Sequence, residues 1–109
     1  MCKKTLREVC DETKVSRRAV QGYEKLGLLK ASDKNEMGHL LYDDIAIKTI
    51  KKIKFFQDIG FRLKEIKDII NAPNEILKDA LIVKVKEMNK EKEKIEELIE
   101  IVKDMIKQL

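Results

Sequence analysis

A chain of 109 residues, 43% of them hydrophobic, has room for one small core and an appendage. Charged residues make up 40%, well above the usual quarter, while Ile, Leu, Val and Phe recur along nearly the whole length. Together these exclude a disordered chain and point to long solvated helices, to nucleic acid, or to both. The formal charge of +4 is uneven: 16 Lys and Arg face 11 Asp and Glu through Ala72, against 8 and 9 from Pro73 onward. The positive excess therefore belongs to the N-terminal part, as expected of a module that meets phosphates.

In chain order, Thr5 is placed to cap a first helix, with Glu8 completing a capping box and Leu6, Val9, Cys10 and Thr13 on one face. Val15-Ser16 interrupts the pattern, and Ser16 is a natural N-cap for a second helix carrying Val20 and Tyr23. Gly27-Leu28 reads as its C-terminal cap, so the two helices and their tight turn form a helix-turn-helix. Leu29–Tyr42 is non-helical, with a polar middle between apolar ends, which suits a small β-hairpin. Asp43 then caps a third helix with the stripe Ile47, Ile50, Ile53, Phe56 and Ile59, ended by Gly60-Phe61. Leu63, Ile66, Ile69 and Ile70 make a short fourth helix, and Asn71-Ala72-Pro73-Asn74 breaks the chain.

Nothing interrupts a helix from Glu75 to Leu109, about 50 Å long. Leu81, Met88, Ile95, Val102 and Leu109 recur at sevens, and Val85, Lys92, Ile99 and Ile106 follow each by four. That is a coiled-coil seam with one polar interruption at Lys92. A lone helix of this kind leaves its stripe wet, so self-association is expected. Leu81, Val85, Met88, Ile95, Ile99, Val102, Ile106 and Leu109 are the candidate dimer contacts. The domains expected are therefore 3–72, a DNA-binding head, and 73–109, a dimerising helix.

Two cysteines, Cys2 and Cys10, are too few for a disulfide framework, and a reducing compartment is the economical reading. The apolar run Ala80–Val83 is too short to cross a bilayer, and no basic leader precedes an apolar stretch. A cytoplasmic chain without membrane contact is expected. Nothing resembles a nucleophile with its base, a phosphate-cradling loop or a paired-carboxylate site, so no enzyme is expected.

The segments TLREVCDETKVS, YEKLGLL, GHLLYDDIAI and IGFRLKEIKDII, in this order and spacing, resemble the MerR family of bacterial transcription regulators from about Lys4 to Ile70. The resemblance implies a mainly α fold: a winged helix-turn-helix head with a two-stranded wing, a second helical pair, and an antiparallel coiled coil between two subunits. It also implies a homodimer that binds double-stranded promoter DNA, bends it and untwists it. RNA polymerase or a regulatory protein would be a further partner. Members commonly have Arg-Tyr before the Tyr-Glu of the recognition helix and Gly-Tyr-Arg in the wing; here Gln21-Gly22 and Gly38-His39-Leu40 stand there. Members usually carry an effector domain or metal loop beyond the long helix, whereas this sequence ends at Leu109 with no Cys or His after His39. No effector domain, cofactor or metal is therefore expected.

Ser16, Arg17 and Arg18 open the expected recognition helix, where Arg can pair with guanine or grip phosphate. Gln21, one turn on, can read adenine, and the Tyr23 hydroxyl can reach phosphate while its ring packs inward. Lys34, Asn35 and His39 on the wing are candidate backbone or minor-groove contacts. Arg62 and Lys64 open the fourth helix, where anions are attracted. Two other functions share parts of the pattern: an excisionase-like architectural protein that bends DNA, and an interaction module whose DNA affinity has decayed. The long heptad helix argues against the first; the neutral Gln21, Gly22 and Leu40 favour the second.

Overall fold

The computed structural model describes residues 3–109, so Cys2 lies outside it. The elements run β1 (Lys4–Thr5), α1 (Leu6–Thr13), α2 (Arg17–Lys25), β2 (Asp33–Lys34), β3 (Leu40–Tyr42), α3 (Asp44–Asp58), α4 (Leu63–Ile69) and α5 (Asn74–Gln108). By their contacts they divide into a head ending at Asn71 and a second unit, Ala72–Leu109.

Helix starts follow the capping chemistry read from the sequence. Thr5 and Glu8 exchange bonds at the head of α1: the Thr5 N–H donates to Glu8 Oε1 at 3.0 Å, and the Glu8 N–H donates to Thr5 Oγ1 at 3.3 Å. Ser16 Oγ accepts from the Ala19 N–H at 3.0 Å, and Asp43 Oδ1 from the Ala46 N–H at 2.8 Å. The ends are equally legible. Leu28 and Gly27 donate to the Tyr23 and Glu24 carbonyls, and Phe61 and Gly60 repeat the pattern on Phe56 and Gln57, all at 3.0 Å. Both are Schellman closures, which need a left-handed residue; Gly27 and Gly60 supply it at φ of 77° and 105°.

The turn between α1 and α2 is less relaxed. Thr13 Oγ1 donates to the Val9 carbonyl at 2.8 Å and accepts the Val15 N–H at 3.3 Å, so its buried hydroxyl closes the turn. Lys14 sits in the left-handed region at φ 60°, where a β-carbon costs about 1–2 kcal/mol. Lys14→Gly removes that strain but adds chain entropy worth roughly 0.5–1 kcal/mol. The head should gain about 0.5–1 kcal/mol, read as a melting point a few degrees higher. An unchanged or lower melting point would mean that the Lys14 side chain contributes more than its strain costs.

The wing carries one strand more than the two expected. β2 pairs with β3 antiparallel, Asp33 opposite Leu41 and Lys34 opposite Leu40. On its other side β3 pairs with β1, Lys4 opposite Tyr42 and Thr5 opposite Leu41, giving the sheet order β1-β3-β2. The residues just before α1 thus fix the base of the wing. At the wing turn, Asn35 Oδ1 accepts the N–H groups of Met37 at 3.0 Å and His39 at 2.9 Å. Gly38 there takes φ 82°.

One core holds the head together: Val9 from α1, Val20 and Tyr23 from α2, Tyr42 from β3, Ile50 and Ile53 from α3 and Ile66 from α4 are its largest fully enclosed side chains. Phe61, just past α3, packs edge-on against Phe56 with ring centroids 5.8 Å apart. In the other unit α5 is a single helix of 35 residues, entered through Pro73, and none of its residues is buried. No helix among the described residues is long and apolar enough to cross a membrane.

The caps also set a pH dependence. Hydrogen bonding holds both Glu8 and Asp43 below the ordinary carboxylate range, from the Thr5 N–H and then its hydroxyl for Glu8, and from the Ala46 N–H for Asp43. A group whose pKa is lower in the folded state contributes stability above its unfolded pKa and loses it as the pH falls through the folded one. The melting point should therefore drop on acidification below about pH 4, the unperturbed carboxylate range. Asp43→Asn keeps a capping oxygen but cannot titrate, and should flatten part of that drop. Equal acid sensitivity in the variant would place the effect elsewhere.

Candidate nucleic-acid interface

Successive residues of an α-helix are turned by about 100°. In α2 the buried Val20 and Tyr23 define the inward side. On that geometry Arg18 and Lys25 lie within about 10° of the outward direction, with Gln21 and Gly22 about 50° to either side. All but Gly22 are exposed, and Gly22 is half-buried. A Cβ built on Gly22 meets nothing within 4 Å, so the head does not require glycine there. Arg17, at the first helical position, is exposed but falls about 90° from the outward direction, on the flank. Lys25 was absent from the residues expected at the interface, although its spacing of seven from Arg18 is readable in the sequence.

The remaining candidates lie at the start of α2, on the wing and at the start of α4. Ser16 caps α2 through Oγ, and Asn35 spends its side-chain carbonyl on the wing turn. Lys34 and His39 are exposed on the wing. Arg62 is the residue before α4, where its N–H donates to Glu65 Oε1 at 3.0 Å; Lys64 lies in the first turn, and both are exposed. Tyr23 packs its ring inward, only 2% exposed, and its hydroxyl donates to Gln57 Oε1 at 2.6 Å.

A second buried tyrosine ties the wing to α2. Tyr42 on β3 is 0% exposed, and its hydroxyl donates to Glu24 Oε1. Burial, then the Glu24 carboxylate, hold that phenol well above its ordinary range, so it stays a donor throughout the working pH range. Cys10, on α1 itself, is half-buried, and burial raises its thiol pKa against the opposing influence of Arg17. Burial thus disfavours the thiolate form. No group of three or more His, Cys, Asp or Glu that could hold a metal is found among the described residues.

On α5 the heptad row is wet: Val85, Met88, Ile95, Ile99, Val102, Ile106 and Leu109 are all exposed, and Leu81 is half-buried. Leu98, Ile101 and Met105 widen the apolar face in the last turns.

Residues 4–73 match the MerR HTH family of regulatory proteins. The chain belongs to that family. It is 33% identical over 97 residues to the HTH-type transcriptional activator mta of Bacillus subtilis, covering 89% of this chain and 38% of that one. The solved N-terminal part of the B. subtilis multidrug transporter activator superposes with a TM-score of 0.74 at 32% identity, over 95% of this chain and 98% of that one. A MerR-family regulator from Bacillus cereus superposes at 0.82 with 28% identity, over 98% and 82%. The chain spans well under half of the curated relatives it first matches, 38% of the B. subtilis activator and 32% of a nodulation protein from Bradyrhizobium elkanii. Both solved chains align along nearly the whole of this one, the long helix included.

Proposed function

We propose that the chain is a homodimeric transcription regulator that binds and distorts double-stranded promoter DNA. Residues 3–72 form the DNA-binding domain and 73–109 an antiparallel coiled coil that sets two heads at a fixed spacing. The observation that carries this reading is the outward face of α2, where Arg18, Gln21 and Lys25 stand opposite the buried Val20 and Tyr23. A helix so presented enters a major groove with side chains that pair with guanine and adenine edges. Lys34 and His39 on the wing, and Arg62 and Lys64 at α4, supply the backbone contacts that set register. Membership of the MerR family supports the regulator role, and the name of the B. subtilis relative, a transcriptional activator, agrees with it.

The neutral Gln21 and Leu40 leave fewer cations for base and backbone contacts than the family pattern, which shifts weight to readout through DNA shape. RNA polymerase or a regulatory protein would then act on the distorted complex. The test is to capture DNA bound to the chain in its source cells and sequence it. Two-fold symmetric sites in promoters support the reading. Enrichment of recombination sites would favour an architectural protein, and no enrichment at all a protein-interaction module.

A further inference from the structure

A groove of about 420 Å³ opens where the starts of α1 and α2 meet the wing turn. Leu6 and Leu40 give it apolar surface, and Arg7, Arg17 and His39 bring three nitrogenous side chains to its lining. Among the described residues no ion pair or side-chain hydrogen bond engages any of those three. Two arginines gathered at one concave site without a counter-charge focus a positive potential into it. Its volume equals roughly fourteen waters at about 30 Å³ each, more than a lone phosphate fills. Apolar walls beside a cationic end match a sugar joined to its phosphate.

We propose that this groove seats one deoxyribose-phosphate unit of duplex DNA, gripped by Arg7 and Arg17 from the helix side and by His39 from the wing. This rests on the DNA-binding reading above and divides the labour within it. Arg17 leaves α2 on the flank, toward the groove, and anchors the backbone. Arg18, one residue on and pointing outward, reads base edges. Adjacent arginines that look equivalent in the sequence thus do different things, and Arg7, on the exposed side of α1, joins the interface.

The test compares wild type with Arg7→Ala, Arg17→Ala and Arg18→Ala on a selected duplex and a scrambled one, across a salt titration. All three side chains are exposed, and matching thermal melts verify folding. Arg7→Ala and Arg17→Ala should weaken both duplexes by the same factor. Each should flatten the slope of log K against log salt by about 0.9 per contact removed. Arg18→Ala should instead lose preference for the selected duplex, on the order of ten-fold or more. Selective loss in Arg17→Ala, or unchanged binding in both Arg7→Ala and Arg17→Ala, would overturn the assignment while leaving DNA binding intact. So would displacement of DNA by submillimolar inorganic phosphate at constant ionic strength, which would assign the groove to a free anion. Wild-type chain that binds neither duplex would instead remove the DNA reading on which the assignment rests.

Discussion

Replacing Ile95 and Ile99 together with Asp is expected to leave the chain monomeric at micromolar concentration. Both side chains lie in the heptad row and are 55% and 45% exposed on α5 taken alone. Burying a large apolar side chain contributes about 1.5–3 kcal/mol, so the four removed from a dimer account for roughly 6–12 kcal/mol. Losing even the smaller figure turns a nanomolar dimer into one dissociating near about 25 µM, before any cost of burying carboxylates. Light scattering reads the mass directly. Lys94→Ala with Glu97→Ala, off the seam, should leave the dimer intact. A dimeric Ile95→Asp/Ile99→Asp chain would place the seam on another face.

Tyr42→Phe is expected to cost about 1–3 kcal/mol of head stability, although it removes a single oxygen. The hydroxyl is buried and donates to Glu24, whose half-buried carboxylate would be left without that donor. Because this bond joins β3 to α2, its loss also frees the wing to shift against the recognition helix. Glu24→Leu leaves the Tyr42 hydroxyl unpaired instead. Combining the two should cost less than the sum of the single changes, by at least about 0.5 kcal/mol. Strict additivity in denaturant titrations would show that the two residues do not interact.

The sequence made local devices legible and long-range ones opaque. Thr5, Ser16 and Asp43 announce helix starts, and Gly27 and Gly60 announce ends, because capping is decided within four or five residues. The heptad row on α5 is likewise local, since its spacing of three and four repeats along one helix. β1 was invisible: two residues show no alternation, and Lys4–Thr5 is a strand only because β3 returns beside it. The Tyr23 hydroxyl bond is opaque for a similar reason: its partner Gln57 lies 34 positions away on α3. The spacing of seven between Arg18 and Lys25 is readable directly, whereas the apolar stripe of α1 carries no information about the exposed Arg7.

Selection of duplexes from a random-sequence pool by the purified 109-residue chain, followed by sequencing, shows whether paired α2 faces read DNA. Two heads joined by a coiled coil present two copies of the α2 face related by two-fold symmetry, so the survivors should share an inverted repeat with a fixed half-site spacing. Recovery of the same symmetric sequence across independent selections is the predicted result. Pools that stay random after repeated rounds, or that converge on an asymmetric single half-site, would contradict a dimeric regulator that reads DNA through α2.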